Sequence, residues 1–109
     1  MDRFTALAEP NRRRMIELLA SGPRPAGAIA DEFRISAPAV SQHLKTLREA
    51  GLGRVEIDGQ KRIYSLDPAG LAEIDQWLER VRTFWSGQLD SLEAALRADA
   101  LATDKGAEE

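Results

Sequence analysis

Residues Ser36 to Gly51 read SAPAVSQHLKTLREAG. The stretch opens on a serine, whose side-chain oxygen suits a helix N-cap, and closes on glycine, the residue most often found just past a helix end. Between them Val40, Leu44 and Leu47, with Leu52 just beyond, form one apolar stripe at helical spacing. The opposite side carries Ser41, Gln42, Lys45 and Thr46. A helix with a dry back and a short, hydrogen-bonding front is suited to press into a polar groove. The major groove of DNA, with its pattern of donors and acceptors, fits that front.

The segments on either side supply the frame for such a helix. Upstream, Arg3 to Ala8 reads as a short helix with Phe4 and Leu7 on one side, closed by Glu9-Pro10. Pro10 suits the first turn of a second helix, which runs to about Ala20 on Met15, Ile16, Leu18 and Leu19 and stops at Ser21-Gly22-Pro23. A third short helix, Ala26 to Phe33, places Ile29, Ala30 and Phe33 at helical spacing. A tight connection then leads to Ser36, so the pair forms a helix-turn-helix pattern.

Downstream the period changes. Over Leu52 to Leu66, Val55 and Ile57 alternate with Arg54 and Glu56, and Asp58-Gly59 separates them from Lys61-Arg62-Ile63-Tyr64-Ser65-Leu66. An Asp-Gly step between alternating runs predicts a hairpin. Its tip holds Gln60, Lys61 and Arg62, a basic wing placed beside the recognition helix. Gly53 weakens the start of the first wing strand and predicts a more mobile hairpin. Asp67 then caps a long helix with Pro68 as its first residue. Leu71, Ile74, Leu78, Val81, Trp85, Leu92 and Leu96 make its stripe, with Trp77, Phe84 and Leu89 alongside. From Pro68 to Asp99 such a helix is about 48 Å long, more apolar length than one small core uses. The surplus points to an interface with a second copy. Gly87 marks a bend or a close approach, and residues 103–109 read as an acidic, disordered tail.

Composition narrows the class. The chain has 109 residues, 43% hydrophobic and 30% charged, as expected of one soluble domain over residues 1–102. It contains no cysteine, which excludes disulfides and thiolate metal sites. No apolar run is long enough to span a bilayer and no signal-peptide pattern opens the chain, so the cytoplasm is the expected compartment. The net charge of −3 conceals two unlike halves. Residues 1–66 hold 11 basic against 8 acidic side chains, and residues 67–109 hold 4 against 10. A locally basic face is therefore compatible with an acidic chain. No enzyme site assembles: the one histidine lies in the recognition helix, and there is neither a glycine-rich phosphate loop nor a G-x-S-x-G turn.

The order of elements resembles the winged helix-turn-helix repressors of the ArsR/SmtB family, mainly α with a small β-hairpin. The residues that carry the resemblance are Ala8-Glu9-Pro10-Asn11-Arg12, Val40-Ser41-Gln42-His43-Leu44-Lys45, Leu47-Arg48-Glu49-Ala50-Gly51-Leu52 and Asp58-Gly59. The run Phe84 to Leu92 is similar to the branch of the family without metal-sensing sites. The resemblance implies a homodimeric repressor of operator DNA, often controlling its own gene. It also implies an interface through the first and last helices, here Phe4, Leu7, Leu71, Ile74, Leu78, Val81, Trp85, Leu89 and Leu92. Metal release, common in the family, does not carry over. The cysteine pair is absent, His43 is the only histidine, and Asp75, Glu79 and Asp90 alone are poor ligands for a transition metal. No metal or other cofactor is expected.

The residues expected to meet DNA are Ser36, Ala39, Ser41, Gln42, His43, Lys45, Thr46 and Arg48 on the recognition helix, with Gln60, Lys61 and Arg62 on the wing. Gln42 is the sharpest, because its amide matches the N6/N7 edge of adenine. Ala39 offers only apolar contact, so part of the specificity falls to DNA shape. His43 lies near the apolar stripe and reads equally as a packed structural side chain. Among Arg12, Arg13 and Arg14 at least one points away from any given surface, and Arg12 reads alternatively as an ion pair with an acidic residue. Two other functions remain open: a winged helix serving as a protein-interaction module, and a repressor with an organic ligand near Trp77 and Trp85.

Overall fold

The computed structural model describes residues 1–108, with 102–108 described as backbone alone. Among the described residues the order is α1 (Arg3–Ala6), α2 (Pro10–Leu19), β1 (Arg24–Pro25), α3 (Ala26–Ala30), α4 (Ala37–Glu49), β2 (Gly53–Asp58), β3 (Lys61–Leu66) and α5 (Pro68–Glu108). The chain divides into two compact units, Met1–Ile74 and Asp75–Glu109.

In the first unit the helix ends follow from local chemistry. Asp2 caps α1 by accepting from the Thr5 backbone N–H at 2.8 Å. Helix α1 stops two residues short of the expected Ala8, because the Ala8 N–H turns back to the Thr5 carbonyl in a tighter turn. Glu9 caps α2 through the Arg12 N–H, and Ser36 caps α4 through the Ala39 N–H at 3.3 Å. The end of α4 is a Schellman motif. The Leu52 N–H reaches the Leu47 carbonyl at 2.9 Å and the Gly51 N–H reaches Arg48 at 3.0 Å. Gly51 takes the left-handed φ of 75° that this closure requires.

Helix α3 is shorter than the expected Ala26 to Phe33. After Ala30 the N–H groups of Glu32 and Phe33 bond three residues back, so Phe33 leaves the helix while still packing on the core. The core collects Ala6, Met15, Leu19, Ile29, Val40, Leu44, Leu47, Ala50, Leu52 and Tyr64. Met15, Ile29, Leu44 and Leu52 are fully buried, each a contribution of about 1.5–3 kcal/mol. The predicted stripe of α4 is therefore the face by which the recognition helix rests on the core.

The sheet holds one strand more than the expected hairpin. Its order is β1-β3-β2, with Arg24 opposite Tyr64 and Pro25 opposite Ile63. A two-residue strand containing proline shows no alternation and occupies an edge, where the missing N–H costs no ladder bond. The hairpin turn also sits one residue later than Asp58-Gly59. Asp58 pairs with Lys61, so Gly59 and Gln60 form the loop. Gly59 has φ 63° and no non-glycine among the described residues has positive φ, which fits a II′ turn with glycine first. Val55 faces the core opposite Tyr64, but Ile57 is 75% exposed because the hairpin projects past the core.

The first turns of α5 belong to the first unit. Asp67 Oδ1 accepts from the Ala69 N–H at 3.0 Å as the expected cap. Leu71, Ile74 and, at the C-cap of α1, Leu7, all grouped with the dimer interface on sequence grounds, pack against the core of their own unit. Phe4 is exposed. In the second unit the helix presents Trp77, Leu78, Phe84, Trp85, Leu89, Leu92 and Leu96 to solvent, with Val81 half-buried. Arg82 pairs with Glu79 and Arg97 with Glu93, the partners of each pair one turn apart along it. Phe84 and Trp85 meet edge to face at 6.0 Å. The expected disordered tail, residues 103–109, falls on residues whose side chains lie outside the description.

Candidate nucleic-acid interface

The polar side of α4 is presented as its periodicity predicts. Ser41, Gln42, Lys45 and Arg48 are exposed, and with Pro38, Arg62 and Tyr64 they line one open groove between α4 and the wing. Ser41, Lys45 and Arg48 follow at intervals of four and three, a single row along the helix. Ser41, Gln42, Arg48 and Arg62 commit no side-chain hydrogen bond or ion pair to another described residue. Lys45 stands 3.9 Å from Glu49, an exposed pair of small energy. The groove is thus lined by donors and acceptors left for a partner.

The other expected contacts are placed differently. Gln60 and Lys61 are exposed but border a second concavity with Pro25, Ala26 and Gly27, and Arg62 borders both. The wing therefore divides its basic side chains between two sides. Thr46 is half-buried, and its hydroxyl donates to the Gln42 carbonyl at 3.0 Å, which leaves it only an acceptor role. Ala39 is half-buried and Ser36 exposed, with the serine oxygen occupied as the cap.

His43 is turned inward. Its side chain is 19% exposed, and Nδ1 accepts from Arg12 Nη1 at 3.2 Å with Glu9 Oε2 at 3.7 Å. Arg12 itself is 9% exposed, the one buried charged residue among those described. Its Nε donates to the Ala6 carbonyl at 2.6 Å. The expected ion pair with an acidic residue is replaced by a carbonyl and an imidazole, because the guanidinium lies against the end of α1 where unpaired carbonyls are available. Arg13 donates to the Leu7 carbonyl at 3.2 Å, and Arg14 stacks 5.5 Å over the Phe33 ring. All three arginines thus serve internal contacts. Burial works against the Glu9 carboxylate, but the N–H groups of Arg12 and Asn11 and the nearby His43 outweigh it and hold its pKa below the ordinary value. That part of stability is present above the usual glutamate range and is lost as pH falls through the lowered value.

Sequence reasoning missed Tyr64 as a wall of the groove, and the gathering of Arg48 with Arg62. The row Ser41, Lys45, Arg48 was readable from spacing and the wing beside it from the order of elements; which wing side chains face the row was not, since that depends on the hairpin's angle.

Comparison with known proteins agrees with this geometry. Residues 9–52 match the model for bacterial regulatory proteins of the arsR family. The HTH-type transcriptional regulator Rv2034 of Mycobacterium tuberculosis is 45% identical over 86 residues, covering 79% of this chain and 78% of that one. The chain belongs to the ArsR family. ArsR proteins are regulators of transcription and not enzymes. The transcriptional repressor SdpR of Bacillus subtilis is 37% identical over 75 residues, covering 69% of this chain and 83% of the relative. A crystal structure described as a possible transcriptional regulator for arsenical resistance aligns with a TM-score of 0.72 at 42% identity, covering 86% and 95% of the two chains. The ArsR fold is accordingly a winged helix-turn-helix, mostly helical with a small antiparallel sheet. No helix among the described residues is long and apolar enough to cross a membrane.

Proposed function

We propose that the chain is a homodimeric transcriptional repressor that binds a palindromic operator, with α4 of each copy in a major groove. The observation that carries this reading is the groove of uncommitted polar side chains shared by α4 and the wing. Gln42 and Ser41 read base edges. Lys45, Arg48 and Arg62 hold phosphates beside them, and Gln60 and Lys61 hold the backbone on the other side of the wing. Such contacts position the protein without reading sequence. The name of the Bacillus relative, a transcriptional repressor, agrees with the sign of the regulation.

The dimer forms through the exposed row Leu78, Trp85, Leu89 and Leu92 of α5, with Val81 and, from α1, Phe4. Large apolar side chains in one contiguous row on a helix mark an interaction surface. No transition metal is part of the reading, because the chain has no cysteine and its one histidine is engaged by Arg12. The protein acts in the cytoplasm, where its operator is.

The test is a mobility shift with duplex DNA from upstream of its own gene, repeated across salt concentration. The expected result is a dimer–DNA complex whose affinity falls steeply, with a log–log slope of about −0.9 per phosphate neutralised. Absence of any complex at low salt, with that duplex and with random duplex, contradicts the reading and favours a protein-interaction module.

A further inference from the structure

Arg12 joins parts of the first unit that lie far apart in sequence. From α2 its guanidinium bonds the Ala6 carbonyl of α1, reaches Met1 Sδ at 3.8 Å, and donates to His43 Nδ1 in the middle of α4. A guanidinium has only donors and keeps its charge at any relevant pH. The bond at 3.2 Å therefore requires Nδ1 to be the acceptor, which means a neutral imidazole with its proton on Nε2.

We propose that Arg12 positions the recognition helix by donating to neutral His43, and that protonation of His43 breaks this contact and weakens the hold on DNA. The proposal rests on the DNA-binding reading above and assigns His43 a positioning role in place of a DNA contact. Once protonated, Nδ1 is a donor facing another donor on a permanent cation. The charged ring is instead drawn to Glu9 Oε2, 3.7 Å away. That oxygen accepts from the Arg12 N–H at 2.8 Å and keeps a lone pair free, but at 3.7 Å it lies beyond hydrogen-bond reach of Nδ1, so it receives the ring only if the ring moves. His43 adjoins Gln42 in the helix, and displacing the ring turns the reading side of α4.

The charged groups facing His43 are Arg12 and Glu9, both from α2 and its cap. Helix α1 contributes the Ala6 carbonyl through Arg12, and the residues one turn away on α4 (Ala39, Val40, Thr46 and Leu47) do not titrate. The sign of the effect separates this role from a phosphate contact, because a histidine touching phosphate binds more tightly when protonated.

The experiment is fluorescence anisotropy of the full chain with duplex from upstream of its own gene at fixed salt, between about pH 5.5 and 8. The window stays above the range in which Glu9, held low, takes up a proton. His43→Asn is measured beside it, since its amide oxygen can stand where Nδ1 accepts and does not protonate. Nitrogen NMR of the chain's single histidine, without DNA, reads the tautomer directly. The expected results are a loss of about tenfold in affinity for the wild type in acid, a flat profile at near wild-type neutral affinity for His43→Asn, and a bare Nδ1 at neutral pH. A wild-type affinity that is flat or rises in acid, a His43→Asn profile that falls like the wild type, or a proton on neutral Nδ1 overturns the inference alone. No complex at any pH overturns the DNA reading, and the positioning role with it.

Discussion

Gln42 and Lys61 are both exposed and polar, yet on the proposed reading they act on different kinds of information. The Gln42 amide can satisfy two groups of one adenine at once, so Gln42→Ala removes discrimination at one base pair by about 1–3 kcal/mol. Lys61 offers a point charge to the backbone, so Lys61→Ala weakens all duplexes alike and reduces the salt slope by about 1. Competition binding with single-base variants of the operator measures the first effect, and salt titration the second. At this scale the outward residues were legible, because helical spacing alone sets Ser41, Gln42 and Lys45 opposite Val40, Leu44 and Leu47. The inward ones were legible in part: His43 lies beside the apolar stripe, and spacing within α2 sets Arg12 on the face of Met15 and Leu19. Their partners were not, since carbonyls of α1 and an imidazole of α4 meet the guanidinium only in the folded unit.

Helices with chemical punctuation were read well. Ser36, Asp67 and Gly51 stand where caps and a left-handed closure are needed, and α4 and α5 begin and α4 ends beside them. Elements fixed by tertiary pairing were read less well. The β1 strand exists only through β3, and the hairpin register follows from Gly59 and Gln60 as loop residues in place of Asp58 and Gly59. Gly70 shows a similar tertiary constraint in the first turn of α5. It is buried, and an added Cβ would overlap the Gly51 carbonyl oxygen at the end of α4. Gly70→Ala should therefore lower stability by about 1–3 kcal/mol, although alanine is the better helix former. Gly87 is the control, since a Cβ there meets nothing within 4 Å; Gly87→Ala should raise helix stability by about 1 kcal/mol. Thermal unfolding followed by circular dichroism compares the two, and a Gly70→Ala melting temperature at or above wild type contradicts the close approach.

Over the whole molecule, one copy offers a single short reading row with few base-contacting groups, among alanines and a proline that read little. On the proposed reading, specificity depends on two copies held at a fixed distance by the exposed Trp85, Leu89 and Leu92, and on phosphates held by Arg48, Lys61 and Arg62 that set the register. The most direct measurement is selection of bound duplexes from a random pool with the full-length protein. The account predicts enrichment of an imperfect palindrome whose half-sites lie about one helical turn, roughly 34 Å, apart. Enrichment of a single undivided half-site, or of no sequence at all, would contradict it.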